Sequence, residues 1–182
     1  TREVESDALS AANITYTTDP EDIAASACIV VAVPTPINSS NEPDVSFIQS
    51  ASDTVGKYLS AGSVVVFEST VYPGLTEEIC IPILEKASGK IAGKDFFVGY
   101  SPERINPGSK EWSLVNIPRI VGGINQESTE KAFEIYKSFI DAPVSKVSSI
   151  NVVEASKILE NAFRDVNIAF VNEMAQSFYR MG

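Results

Sequence analysis

Three short apolar runs, each ending abruptly in a loop rich in Pro, Ser, Thr or Gly, restrict the fold of this chain more than any other feature. The first, residues 28–33, stops at Pro34, Thr35 and Pro36. The second, Val64–Phe67, runs into Glu68, Ser69, Thr70, Val71, Tyr72, Pro73 and Gly74. The third, residues 96–100, leads into Ser101, Pro102, Glu103, Arg104, Ile105, Asn106, Pro107 and Gly108. Between them the period changes to that of a helix. Asp44 can cap the first such stretch, in which Val45, Ile48, Ser52, Val55 and Leu59 share one side and Gly62 lies past the end. The next is expected to begin near Leu75 and to bury Ile79, Ile83 and Leu84, with Pro82 bending it or opening its first turns. Continuously apolar strands alternating with helices are the pattern of a parallel sheet covered on both faces, so the class is α/β and the strands are expected to be buried. Weaker strands at 119–121 and 144–147 flank a helix at about 126–138 and extend the sheet at one edge. In open sheets of this kind ligands bind outside the carboxyl ends of the strands, which puts a candidate site on the three loops.

The last segment has a different character. Residues 151–181 contain no Gly or Pro and read as one helix about 45 Å long. Asn151 and Glu154 have the spacing of a capping box at its start. Val153, Ile158, Leu159, Phe163, Val166, Phe170, Met174 and Phe178 fall on more than one face, so the helix is expected to be buried on several sides, joining domains or packing across a dimer. At the other end, residues 2–12 look like the tail of a helix, with no GxGxxG opening before the first apolar run. Together these ends give the profile of an internal fragment.

Composition narrows the function by exclusion. A formal charge of −10 with no basic run argues against nucleic acid and anionic membranes as partners. No apolar stretch is long enough to span a bilayer, which reads as a soluble chain. With no histidine in the sequence and no cysteine cluster, a metal site and a Ser-His hydrolase are both disfavoured. Cys28 and Cys80 read as buried structural residues rather than a disulfide.

The side chains left for chemistry are Thr35, Ser69, Thr70, Glu103, Lys157 and Asn161. Hydroxyls at strand ends can donate to ribose or phosphate oxygens, and a turn at Gly74 would let backbone amides approach a ligand at a helix start. Each also reads as an ordinary loop residue. Lys157 and Asn161, four apart on a helix, emerge on one face, where a cation and an amide can polarise a sugar hydroxyl or hold an oxyanion. The competing reading pairs Lys157 with Glu154 and Glu160, three residues to either side, in surface ion pairs. Glu103 is either a solvated loop carboxylate or a group fixed at a strand end, and Trp112 reads as packing.

VAVPTP from Val31, ESTVYPG from Glu68, GYSPERINPG from Gly99 and VEASKILENAFRDVNIAFVNEM from Val153 together resemble the UDP-glucose/GDP-mannose dehydrogenase family across essentially the whole chain. The SPERINPG loop resembles the branch acting on UDP-N-acetylhexosamines in capsule and O-antigen pathways. The resemblance implies the C-terminal part of a Rossmann-like, NAD-binding domain over 1–148, lacking its GxGxxG opening, followed at 149–182 by a long central helix that starts a dimerisation and substrate domain. It implies oxidation of a C6 alcohol to a carboxylate with two NAD per sugar, through a thiohemiacetal and a thioester on a cysteine. Val33, Pro34, Thr35, Ser69 and Thr70 would line the cofactor, with Glu103 touching it and helping to position water. Arg104, Ile105 and Asn106 would bind substrate beside Glu103, and Lys157 and Asn161 would serve the C6 oxygen, with Thr70 and Glu103 completing the catalytic set. The apolar faces of the last helix point to a homodimer through it, and the absent signal segment with the need for NAD to a cytoplasmic location. The family's nucleophilic cysteine has no match here, since neither Cys28 nor Cys80 lies in a GGHC-like segment, so this chain alone is expected to be inactive. Competing readings are a β-hydroxyacid dehydrogenase, which also sets Lys and Asn one helical turn apart, and a non-catalytic nucleotide-binding or dimerisation module.

Overall fold

The computed structural model describes residues 4, 6–104 and 113–182. After a short helix α1 (Ser6–Ala11) and a 3-10 turn (Pro20–Ala25), the chain alternates as β1 (Cys28–Val31), α2 (Ser46–Tyr58), β2 (Val64–Phe67), α3 (Ile81–Ser88) and β3 (Phe97–Tyr100). It continues through β4 (Arg119–Gly123), α4 (Gln126–Lys137) and β5 (Val144–Lys146) into α5 (Ile150–Met181). The five strands lie in one sheet in chain order. The expected α/β class is what the fold shows.

Two expectations about the sheet need correcting. β1, β2 and β3 are parallel, with Val30, Val66 and Gly99 in register, but β4 runs antiparallel to β3, pairing Gly123 with Gly99 and Gly122 with Tyr100. β4 enters at the end where β3 leaves, so the sheet is mixed rather than all parallel. Burial also differs along the row. All four residues of β2 and of β3 are buried, whereas β1 is the edge strand and Val30 is 50% exposed. The continuous apolar run of β1 therefore does not correspond to burial on both faces in this structure.

The helix faces follow the sequence period except where proline intervenes. In α2 the buried positions are Ile48, Ser52, Val55 and Gly56, with Leu59 just beyond, and Asp44 accepts the Ser46 amide at 2.9 Å. The next helix opens with a π-turn over Thr76–Cys80, in which the Ile81 amide reaches back five residues to the Thr76 carbonyl. Pro82 has no amide to give the regular bond, and the extra residue in the turn shifts the buried face. Leu75, Cys80, Ile81 and Leu84 are buried, while Ile79 and Ile83 are only half-buried, contrary to the expected face.

α5 begins at Ile150, and its cap is Ser149, whose hydroxyl accepts the Val152 amide at 3.4 Å, rather than Asn151. Its first turn packs on β4, where a Cβ at Gly122 would come within 2.6 Å of the Ser149 carbonyl oxygen; glycine is what permits that approach. The rest of α5 is little buried within this single chain, the several-sided packing expected of it being against a further domain or a second copy. Leu159, Phe163, Val166, Phe170 and Phe178 are all more than half exposed, because no described element packs beyond its first turns. The core instead lies between the sheet and α2, α3 and α4, in two clusters centred on Phe67, Val65 and Val98 and on Val66, Val121 and Tyr136.

Candidate functional site

The carboxyl ends of β1 and β2 carry two loops that are tied together by hydroxyls. Ser69 Oγ accepts from the Val33 amide at 2.9 Å and donates to the Val33 carbonyl at 2.8 Å. Thr35 Oγ1 donates to the Thr70 carbonyl at 2.8 Å, and the buried Tyr100 hydroxyl, on β3, donates to the Ser69 carbonyl at 2.9 Å. Val33, Pro34, Thr35, Ser69 and Thr70 are thus brought together as expected, but with Ser69 buried and acting on the backbone. Pro34 is exposed and Thr70 half-exposed, and the Thr70 hydroxyl makes no hydrogen bond among the described residues.

A second cluster lies at the end of β3. Lys157 Nζ donates to the Glu103 carbonyl at 2.6 Å, and Arg104 pairs with Glu160 at 3.0 Å. Glu160 also holds Arg164 at 3.1 Å, so the lysine is not committed to the surface ion pairs that spacing allowed. Burial holds the Lys157 ammonium below the usual lysine range, opposed by Glu103 and Glu160 and assisted by Arg104 and Arg164. Pro102, Arg104, Ile120, Ser156, Lys157 and Glu160 enclose a small cavity of about 100 Å³. Asn161 is half-buried one turn further along α5. Ile105, Asn106 and Trp112 lie outside the described residues.

Glu154 joins the two clusters, and the sequence reading missed it. It is fully buried between α5 and the turn after β2, its two oxygens accepting the Gly74 amide at 2.7 Å and the Thr76 amide at 3.1 Å. The helix start expected to admit a ligand is therefore filled by the protein's own carboxylate, which overturns that expectation for Gly74. Glu154 is also neither the capping-box partner of Asn151 nor an ion-pair partner of Lys157; Asn151 instead donates to Glu77 at 2.8 Å. The available signal was a carboxylate set beside Ile150 and Val153, both of them fully buried.

Arg119 was missed as well. It is 2% exposed, donates from Nη1 to the Pro102 carbonyl at 2.8 Å, stands 3.8 Å from Glu68 and lies over the Tyr136 ring at 5.8 Å. The Tyr136 hydroxyl donates to Glu68, and burial, reinforced by that carboxylate, pushes its ionisation up. The loop carrying Glu103 and Arg104 is thus held by Arg119 through Pro102 and by Lys157 through Glu103.

Residues 2–140 match the NAD binding domain of the UDP-glucose/GDP-mannose dehydrogenase family, and residues 151–182 match its central domain. The chain is 50% identical over 181 residues to protein CapL of Staphylococcus aureus, covering 100% of this chain and 43% of that protein. It is 46% identical over 172 residues to UDP-N-acetyl-D-glucosamine 6-dehydrogenase of Pseudomonas aeruginosa, covering 94% of this chain and 41% of that enzyme. Among solved structures, UDP-D-ManNAc dehydrogenase from Pyrococcus horikoshii superposes with a TM-score of 0.84 at 36% identity, covering 92% of this chain and 39% of that one. The chain therefore spans about two fifths of the length of these relatives.

Proposed function

The chain belongs to the UDP-glucose/GDP-mannose dehydrogenase family, and from that membership we propose that it works within a longer enzyme oxidising the C6 alcohol of a UDP-N-acetylhexosamine to a carboxylate. The overall change is R–CH2OH + 2 NAD+ + H2O → R–COO− + 2 NADH + 3 H+. The observation that carries this reading is the Lys157 ammonium held against the loop after β3 beside a cavity, next to a cofactor loop pair fixed by Ser69 and Thr35.

The cofactor is NAD, as the matched domain indicates. The loops after β1 and β2 fit it: Ser69 and Thr35 spend their donors on backbone, which fixes the floor, while the Thr70 hydroxyl stays available to a ligand. When bound, NAD would supply the hydride acceptor for the C6 carbon. The rest of the chemistry proposed here belongs to side chains of this chain. Lys157 uses one of its three N–H donors on Glu103 and offers the others, with the Asn161 amide, to the C6 oxygen as negative charge develops there. Glu103 orders the attacking water, and Arg104, with Ile105 and Asn106, holds the sugar nucleotide. The nucleophilic thiol comes from outside this chain: Cys80 is fully buried and its thiol is pushed up to about 11, first by burial, while burial also raises Cys28.

The exposed apolar residues of α5, among them Phe163, Val166 and Phe170, support a homodimer seam along this helix. No helix of the described residues is long and apolar enough to cross a membrane, and the need for NAD supports a cytoplasmic enzyme supplying capsule or O-antigen precursors. The test is NADH production by the full-length enzyme that carries this sequence, offered UDP-N-acetylmannosamine, UDP-N-acetylglucosamine, UDP-N-acetylgalactosamine and UDP-glucose in parallel. Two NADH per sugar on an acetamido substrate is the expected result. One NADH per sugar would leave the thioester route without support and favour a β-hydroxyacid type of oxidation.

A further inference from the structure

We infer that Glu154 is a positioning residue: its carboxylate, seated on the Gly74 and Thr76 amides, sets where Lys157 stands relative to the cofactor loop after β2. The inference rests on the reading of the site given above and adds to it the part that holds the two halves in register. α5 is pinned at two points one turn apart. Glu154 fastens it to the turn after β2, and Lys157 fastens it to the loop after β3. Ile150 and Val153, fully buried beside Glu154, leave the helix no room to roll at this point, and Gly122 lets it sit directly on β4. The helix cannot shift toward one loop without moving from the other.

A carboxylate suits this joint better than any isosteric group. Two backbone donors converge on it, and a carboxylate meets both with acceptors. The helix start adds positive character that an anion answers. A glutamine has the same shape but presents an NH2 to one of the two amides, turning one hydrogen bond into a donor–donor clash. Glu154→Gln therefore loosens the joint without emptying it, whereas Glu154→Ala opens a carboxylate-sized space above the same amides.

The experiment uses the full-length enzyme that carries this sequence, as wild type, Glu154→Gln and Glu154→Ala, each checked for folding by circular dichroism. Two quantities are read: kcat, and the titration of the Lys157 side chain by NMR of labelled lysine. The expected result is a kcat at least tenfold lower in Glu154→Gln, a Lys157 titration moved up toward the ordinary lysine value, and partial recovery of Glu154→Ala by added formate. A folded Glu154→Gln variant with kcat within twofold of wild type and an unmoved Lys157 titration overturns the inference. If the wild-type enzyme oxidises none of the UDP-sugars, the proposed function fails, and the Lys157 titration alone decides: a shift sustains the coupling and its absence overturns it. Should Glu154→Gln not fold, Glu154→Asp is read the same way, with an intermediate kcat and a shifted lysine expected and wild-type values counting against the inference.

Discussion

Ser69 Oγ accepts a hydrogen bond from the Val33 amide at 2.9 Å and returns one to the Val33 carbonyl at 2.8 Å, closing the gap between the loops after β1 and β2 with one hydroxyl. Ser69→Ala removes both bonds at a buried position and leaves the Val33 amide without its partner. The expected loss is about 1–3 kcal/mol of stability, read by urea denaturation. If the two loops form the cofactor floor, as proposed, the KM for NAD should rise in the same variant. A loss of stability with unchanged NAD affinity would show that the tie serves the fold alone.

Arg119 and Glu68 make a test of the second brace. The guanidinium is buried, and removing it in Arg119→Met leaves the Glu68 carboxylate facing Tyr136 without a cation. That cost is about 3–5 kcal/mol, as for a broken buried pair. The double variant Arg119→Met/Glu68→Leu should recover part of it, because no charge is then stranded. Equal destabilisation of the single and double variants would mean that the Pro102 hydrogen bond, rather than the ion pair, is what Arg119 contributes.

Lys157→Ala removes the cation at the candidate reaction centre and the tie to Glu103 together. Loss of one preorganised donor to a developing oxyanion costs about 10²–10³ in kcat, and a fall of that order is expected. Lys157→Arg should not restore it, since a planar guanidinium does not reproduce a compact ammonium in a small cavity. Near-wild-type turnover in either variant would remove Lys157 from the chemistry.

Glu154 also predicts a pH dependence. Its carboxyl is raised above the ordinary glutamate value, first by burial and then by Glu77, against the hydrogen bonds from Thr76 and Gly74. Cys80 and Tyr100, the other titratable groups facing it, are both raised and remain neutral in this range. With the folded pKa above the unfolded one, the folded state binds more protons between the two values. Stability therefore declines as pH rises from the ordinary glutamate value through the raised one, and levels off above it. In Glu154→Gln that component of the decline should vanish. Thermal melts of both proteins across pH 4 to 8 (a range of about four units around the carboxylate values) would reveal it, and parallel curves would contradict the assignment.

The alternation of strands and helices was legible because burial leaves its period in the sequence, and β2, with four consecutive buried residues, is the clearest case. What escaped depended on partners distant in the chain. Glu154 and Lys157 look like an ion pair when only their spacing is considered, but the amides that claim Glu154 lie 78 and 80 positions away. The face of the helix after β2 was misjudged because Pro82 acts on the turn before it, through an amide it lacks. The antiparallel course of β4 leaves no mark in its own residues; it follows from where β3 ends. Helical spacing sets Lys157 and Asn161 on one side of α5, where both are half-buried.

The two cysteines allow the division of labour within the proposed longer enzyme to be tested directly. A thiol attacks as its thiolate, and burial pushes the Cys80 thiol up to about 11, which keeps it protonated at neutral pH. It is also fully buried, so no sugar C6 can reach its sulfur. Cys28 is only half-buried, yet it sits at the start of β1, at the opposite end of the strand from the loop that carries Val33 and Thr35. Cys28→Ser and Cys80→Ala in the full-length enzyme should therefore keep kcat within about twofold of wild type, a change well under the 1.4 kcal/mol that a tenfold loss represents. The 182-residue chain alone, given NAD and a UDP-N-acetylhexosamine, should give no steady NADH. Steady turnover by this chain, or its loss from the full-length enzyme on changing either cysteine, would place the nucleophile inside these residues and require the site to be redrawn around that thiol.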